Sequence, residues 1–378
     1  MAEHLLALVK ARSVSKPDST GFHNKGVEES QALNFVSSLG IADIIGDASL
    51  SLPEISEKTG VDTQFLGVVM NCMSGRGYFE QDSGRYSNNT LSAVLREGHP
   101  SSMKSAIGFV CDEGYNAASR LIDVAKRRGM AGAEVGDKSR ITGTNLAFGF
   151  DCSVFEWMAQ PQQAWRGERL GRAMKQLHGM ANSNVPIDYA WSALTSPIVD
   201  CGGGIGALEM AILKEKNLGL EFTIFDIPET IENAKEAWGT LPPQSSSRIS
   251  FASGNFLAPT LAETGLPLGR PTYLIRHVLH DWTDPEVLSI LRNVRAAMLA
   301  SPTRVPDQKL LVCEMLLHPD SSRFVRTTSM QLLALNNGVT RTLAAMRALI
   351  EQAGFIVREV HYMRAVDSII EAVITESA

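Results

Sequence analysis

The sequence predicts an α/β protein in two parts: a mainly helical N-terminal half, residues 1–188, and a C-terminal half, residues 189–378, built on a mostly parallel, doubly wound sheet. Three observations predict it. The first half alternates helix-length apolar patterns with turn signals and contains one short hairpin pattern. The second half alternates strand-length apolar runs with helical patterns, and its first strand runs into glycines at 202, 203, 204 and 206 before a helix begins at Ala207. At 378 residues, 44% hydrophobic and 20% charged, the chain is too long for one small module and apolar enough for a real core.

Taken in order, Gln31 to Leu39 reads as a helix followed by a break at Gly46-Asp47. Ser51 and Glu54 stand at capping-box spacing for a short helix that Gly60 ends in the left-handed conformation. Between Thr63 and Ser74, Phe65, Leu66, Val69, Met70 and Met73 recur at helical spacing. Tyr78-Phe79-Glu80, a turn at Asp82-Ser83-Gly84 and Arg85-Tyr86-Ser87 then read as a hairpin. Helix, helix, hairpin is the winged-helix order, which raises a DNA-binding reading. Charge decides against it: residues 1–100 carry eight Lys or Arg against twelve Asp or Glu, and the whole chain is at −6. The expectation is a helical module that packs apolar faces against a partner subunit. From 100 to 188 the pattern stays helical and ends in Phe155, Trp157, Met158, Trp165, Met174 and Met180, a cluster read mainly as core and partly as pocket lining.

Cysteines 72, 111, 152, 201 and 313 are scattered and show no metal-ligand spacing, so buried thiols, no metal site and a cytoplasmic location are expected. No apolar run approaches the ~20 residues of a membrane span, and the start, with Glu3 and His4, does not read as a cleavable signal.

In the second half, Pro197-Ile-Val-Asp-Cys-Gly-Gly-Gly-Ile-Gly206 is strand, glycine loop and helix start, one half of a nucleotide-binding fold. The spacing is not the dinucleotide G-x-G-x-x-G, and no Lys-Ser or Lys-Thr follows, which excludes a Walker phosphate loop. The next strand, Glu221 to Phe225, ends in Asp226, an acid placed to bond both hydroxyls of a ribose. Asp200, just before the glycines, suits a cationic amino group. Two carboxylates without a phosphate-binding lysine fit S-adenosylmethionine better than a pyrophosphate, a strand-end cap being the alternative for each Asp. Strands at Arg248–Ala252, Thr272–Arg276, Lys309–Glu314 and near Gly354–Val357 continue the alternation, so chemistry is expected at their C-terminal ends.

With Val199-Asp-Cys-Gly-Gly-Gly-Ile-Gly206, Phe225-Asp-Ile-Pro228, Gly254-Asn-Phe256, Arg276-His-Val-Leu-His-Asp-Trp282, Cys313-Glu314, Asn336-Asn-Gly338, Arg341-Thr342 and Ala353-Gly-Phe355, the chain resembles the plant and fungal metal-independent O-methyltransferases typified by caffeic acid O-methyltransferase. The resemblance covers nearly the whole chain. It implies a Rossmann-like catalytic domain behind a winged-helix-like dimerisation domain that makes a homodimer and closes the substrate pocket. It further implies that Gly202 and Gly204 pass the methionine moiety, Asp226 holds the ribose, Asn255 and Phe256 bracket the adenine, Arg276 lies on the cofactor side and Asn336 on the substrate side. His280 would be the general base.

Chemistry supports that base independently, since an imidazole with pKa ~6.5 can take the proton of a phenol with pKa ~10 as its oxygen attacks. Glu314 can orient the ring and stabilise the imidazolium. Asp281 either joins the base or only caps the next helix, and His277 reads as structural. Phe155, Met174, Met180, Leu332 and Asn336 are the expected substrate walls. Two places depart from the family pattern. Thr340 stands where a second acid is usual, which predicts a weaker base, and Asn255 replaces a common Asp. The function expected is S-adenosylmethionine-dependent methylation of a hydroxyl on an aromatic small molecule. The alternatives are a pericyclase or isomerase on the same fold, told apart by product mass, and a non-catalytic regulator using the wing, which the charge count opposes.

Overall fold

The computed structural model of the chain describes residues 26–128, 141–181, 184–215, 219–300 and 307–374. The N-terminal stretch read for a signal lies outside the described residues. The chain divides into two compact units, Met1–Ala181 and Asn182–Ala378. The division falls before Val185 rather than after Asp188, because Val185 and Tyr189 are buried in the core of the second unit.

In the first unit, α1 (Gly26–Ser38) and α2 (Ile41–Ile45) precede β1 (Ser49–Ser51), α3 (Leu52–Thr59) and α4 (Thr63–Gly75). Ser51 caps α3: its hydroxyl faces the Glu54 N–H while its own N–H donates to Glu54 Oε2 at 2.7 Å, and Gly60 closes the helix at φ 71°. The hairpin is β2 (Phe79–Asp82) and β3 (Arg85–Asn88), joined through Ser83 and Gly84, both at positive φ as a tight two-residue turn requires. β1 adds to β3, a strand the sequence pattern did not reveal, in the order β1-β3-β2. Ile41, Ile55, Leu66, Met70 and Tyr86 form the core beneath. Further on, a π-helical turn at Val110–Gly114 sets Asp112 and Glu113 side by side, where Arg166 and Arg169 each bind both carboxylates within 2.8 Å. Two cations balance two acids, Glu113 fully buried and Asp112 partly so, and Arg166 also lies 4.3 Å over the Trp165 ring. Trp157 and Met158 are core, whereas Phe155, Trp165 and Met174 are exposed.

The second unit holds a seven-stranded sheet in the order β6-β5-β4-β7-β8-β10-β9. Its strands are β4 (Ile198–Cys201), β5 (Phe222–Asp226), β6 (Ile249–Ser253), β7 (Thr272–Arg276), β8 (Lys309–Met315), β9 (Phe355–Tyr362) and β10 (Asp367–Ile374). β6 through β8 pair in parallel, and β10 runs antiparallel to both β8 and β9. Alternate residues feed two different cores, Val199 and Cys201 one, Ile198 and Phe222 the other, so the sheet is covered on both faces. From β4 the chain builds outward through β5 and β6, then returns to lay β7 on β4's other side. That reversal opens a crevice beyond the C-terminal end of β4, where the glycines stand. The packing helices include α5 (Ala207–Glu215), α6 (Asp284–Leu299), α7 (Arg323–Asn336) and α8 (Leu343–Gln352). All five cysteines are free. Among the described residues no helix is long and apolar enough to cross a membrane.

Candidate active site

The glycine loop is backbone shaped by close approach. Gly202 has φ +80°, and a Cβ there would lie 2.5 Å from Val278 and 3.7 Å from the Phe256 ring. Gly204, at φ +60°, faces open space. Its N–H donates to Asp226 Oδ2 at 2.9 Å, while Asp226 Oδ1 accepts from Ile227 N at 2.8 Å. Burial pushes the Asp226 carboxyl above its ordinary range against those hydrogen bonds.

Asp200, buried at the end of β4, lies under the same loop: a Cβ on Gly203 would stand 2.9 Å from its Oδ2. Its partner is Glu209, in the first turn of α5 and fully buried. Burial, then the charge of Glu209, holds the Asp200 carboxyl well above its ordinary range, and burial raises Glu209 as well. Among the described residues, Asp200 Oδ1 and both Glu209 oxygens have no hydrogen-bond partner. The charge of Arg276, at the end of β7, acts on both carboxyls of this pair, and its guanidinium reaches Asp367 Oδ2 at 3.4 Å. A crevice floored by buried carboxyls, with backbone pressed close and an acid at the β5 end, fits a cationic nucleoside.

The second group of residues follows β7. His277 takes φ +52°, unusual for a non-glycine residue, and its Nε2 lies 2.8 Å from Asp367 Oδ1. The chain then makes a 3₁₀ turn, Leu279–Asp281. Glu314, buried on β8, holds that turn with one oxygen, accepting from Val278 N at 3.2 Å and His280 N at 3.3 Å, and takes the Nδ1–H of His280 at 2.6 Å with the other. The turn's carbonyls are tied as well: Val339 N donates to His280 O, and Arg341 binds Leu279 O and Trp282 O, each at 2.7 Å. Glu314 thereby fixes the tautomer that leaves Nε2 with its lone pair. Val278 joins the two groups, touching the Gly202 position and donating to Glu314.

Asp281 does not cap the next helix. Thr283 does, with Glu286 completing the capping box of α6. Asp281 instead accepts from Asn336 Nδ2 at 2.6 Å, and its Oδ1 stands 3.8 Å from His280 Nε2. The Thr340 hydroxyl, at the place where a second acid is usual, is buried and has no hydrogen-bond partner among the described residues, and the carboxyl groups of Glu314 and Asp281 flank the imidazole. Burial opposes the charged ring, but the Glu314 and Asp281 charges and the Glu314 hydrogen bond outweigh it and raise its pKa to about 9. Burial tends to raise Glu314, and the charge and hydrogen bond of His280 more than offset it, leaving the carboxyl lowered.

His280, Glu314, Asp281 and Asn336 are thus brought together. Leu332 lies beside them, 3.1 Å from a Cβ on Gly338, the residue before Val339. Phe256 meets the Trp282 ring edge-on at 6.1 Å, and the exposed Asn255 turns its Oδ1 to Leu257 N. Phe155 and Met174 are exposed on the first unit, and the side chain of Met180 lies outside the described residues. Sequence reasoning missed Glu209 and Asp367. Asp367 opens the run Asp367-Ser-Ile-Ile-Glu-Ala-Val-Ile374, whose β-branched content signalled β10. Among the described residues one trio could hold a metal ion, Glu359, His361 and Glu371. Glu371 there is taken up by hydrogen bonds from Tyr189 and Lys309 at 2.6 and 3.0 Å.

Residues 137–356 match the family model of an O-methyltransferase domain, and residues 23–98 that of an O-methyltransferase dimerisation domain. The chain is 27% identical over 308 residues to the O-methyltransferase hasC of Aspergillus fumigatus, covering 81% of this chain and 66% of that protein. Its structure is similar to that of the mitomycin 7-O-methyltransferase MmcR, with TM-score 0.78 and 25% identity over 94% of this chain and 96% of that one. It shares the fold, at TM-score 0.71 and 23% identity over 92% and 96% of the two chains, of an O-methyltransferase from neocarzinostatin biosynthesis crystallised with S-adenosylmethionine and 2-hydroxy-5-methyl naphthoic acid.

Proposed function

The chain belongs to the O-methyltransferase family and is an S-adenosylmethionine-dependent O-methyltransferase, and we propose that it methylates a hydroxyl of an aromatic secondary metabolite with His280 as general base. The observation that carries the base assignment is the 2.6 Å bond from His280 Nδ1 to the buried Glu314, which leaves Nε2 as the acceptor at the strand end. When bound, the cofactor supplies an electrophilic methyl group on a sulfonium. Gly202 and Gly204 give its methionine portion close backbone approach, Asp226 takes the ribose, Asn255 and Phe256 take the adenine, and Asp200 with Arg276 sets the charge beneath the loop.

His280 removes the substrate proton through Nε2, and Glu314 stabilises the imidazolium that results. Asp281, held by Asn336, adds a second negative charge beside that nitrogen. Leu332 and Asn336 form the substrate wall on the second unit. The neocarzinostatin neighbour's naphthoic acid supports an aromatic substrate. The match of residues 23–98 to a dimerisation domain supports a homodimer formed through the first unit. Five free thiols support a cytoplasmic location.

The test is to incubate the purified protein with labelled methyl donor and a panel of phenols in the presence of a magnesium chelator. A product one methyl heavier is expected, with turnover intact. An isomerised product of unchanged mass, or a tenfold loss on chelation, would count against this reading. Asp226→Ala is expected to raise the dissociation constant of the cofactor by about tenfold or more, since one carboxylate bonded to two hydroxyls is lost. An unchanged constant by calorimetry would refute the ribose assignment.

A further inference from the structure

Two carboxyls that the catalytic step does not use meet under the glycine loop. Asp200 is 3% exposed and Glu209 not at all. After burial each is the strongest influence on the other's charge, and three of their four oxygens have no hydrogen-bond partner among the described residues. Two buried like charges without donors cannot both be ionised. The charges facing them come from three other strands. Asp226 on β5 adds a further negative charge, Arg276 on β7 is the cation, and Asp367 on β10 draws on the same guanidinium at 3.4 Å. Negative groups therefore outnumber the cation, and one proton is retained where the ligand's positive charge would otherwise stand.

We infer that Asp200 and Glu209 share a proton in the free enzyme and surrender it when the cofactor's cationic portion arrives, Glu209 being the positioning residue that makes cofactor binding proton-coupled. The inference rests on the reading that the glycine loop holds the cofactor. The proton passes to solvent buffer, and the ligand's ammonium replaces its charge beneath the loop. The sign follows from linkage: the free form binds one more proton than the bound form, so affinity strengthens as pH rises and levels off once the free pair has lost its proton.

The test is calorimetric titration of the full-length protein with S-adenosylhomocysteine, which carries the ammonium and no sulfonium charge, so that His280 meets no new cation. In buffers of different ionisation enthalpy at pH 7, the wild type is expected to release about one proton per site, and its dissociation constant to fall about tenfold from pH 6 to 7. Glu209→Gln can donate its amide to Asp200, which then stays ionised. The variant is expected to release almost no proton and to show a dissociation constant that barely changes with pH. A wild-type enthalpy independent of buffer, measured without any variant, would overturn the inference, as would undiminished release by Glu209→Gln. Failure of the wild type to bind S-adenosylhomocysteine at all would overturn the premise that the loop is the cofactor site.

Discussion

Replacing His280 with alanine is expected to lower kcat by about 10²- to 10⁴-fold while cofactor affinity stays within about twofold. The split follows from where the ring sits. His280 stands in the 3₁₀ turn after β7, its Nδ1 spent on Glu314 and its Nε2 3.8 Å from the Asp281 carboxylate. The glycines, Asp200 and Asp226 lie at the ends of β4 and β5 and owe nothing to the imidazole. Alanine also keeps the two backbone bonds that hold the turn, His280 N to Glu314 and Val339 N to His280 O. What goes is the proton acceptor, so a phenol must ionise by itself, an uphill step of about three pH units at neutrality. The measurement is steady-state kinetics beside calorimetry with S-adenosylhomocysteine. Near-normal turnover would remove the role assigned to the ring, and a large loss of affinity would recast it as structural.

The parts of this site legible in the sequence were those that depend on local chemistry. A capping box at Ser51 and Glu54, a glycine run behind an apolar strand, and an acid at the next strand end each follow from bonds made within a few residues. What stayed hidden depends on which strands become neighbours. Asp367 meets His277 only because β10 inserts antiparallel between β8 and β9, a placement no local pattern encodes. Glu209 reads as an ordinary first-turn acid favoured by the helix dipole until α5 is packed against β4 and buries it on Asp200. Asp281 carries the same lesson. Its position before Thr283 and Pro285 made a helix cap plausible, and only the return of α7 brings Asn336 to it and turns it toward the base. That Asp281 places a carboxyl near Nε2 could not be read from its position in the chain alone.

Glu314→Gln is the more discriminating substitution, because it keeps size and burial while changing which nitrogen holds the proton. A glutamine oxygen can still accept from Val278 N and His280 N, so the turn is expected to keep its shape. Its amide then faces Nδ1 as a donor, and the imidazole answers by placing its proton on Nε2, the nitrogen meant to receive one from the substrate. A fall in kcat of about 10²- to 10⁴-fold is expected from that tautomer change. The pH dependence supplies an independent reading. In the free wild-type enzyme the ring holds its proton up to about 9, so activity against the phenol must rise with pH as the ring loses it. A saturating cationic cofactor moves that limb lower, since a neighbouring positive charge disfavours imidazolium. Removing the Glu314 charge takes away the largest influence that raises the ring, and the acid limb of Glu314→Gln is expected at lower pH than the wild type's under the same conditions. A variant that lost rate with an unmoved acid limb would show that Glu314 holds the turn without setting the charge on His280.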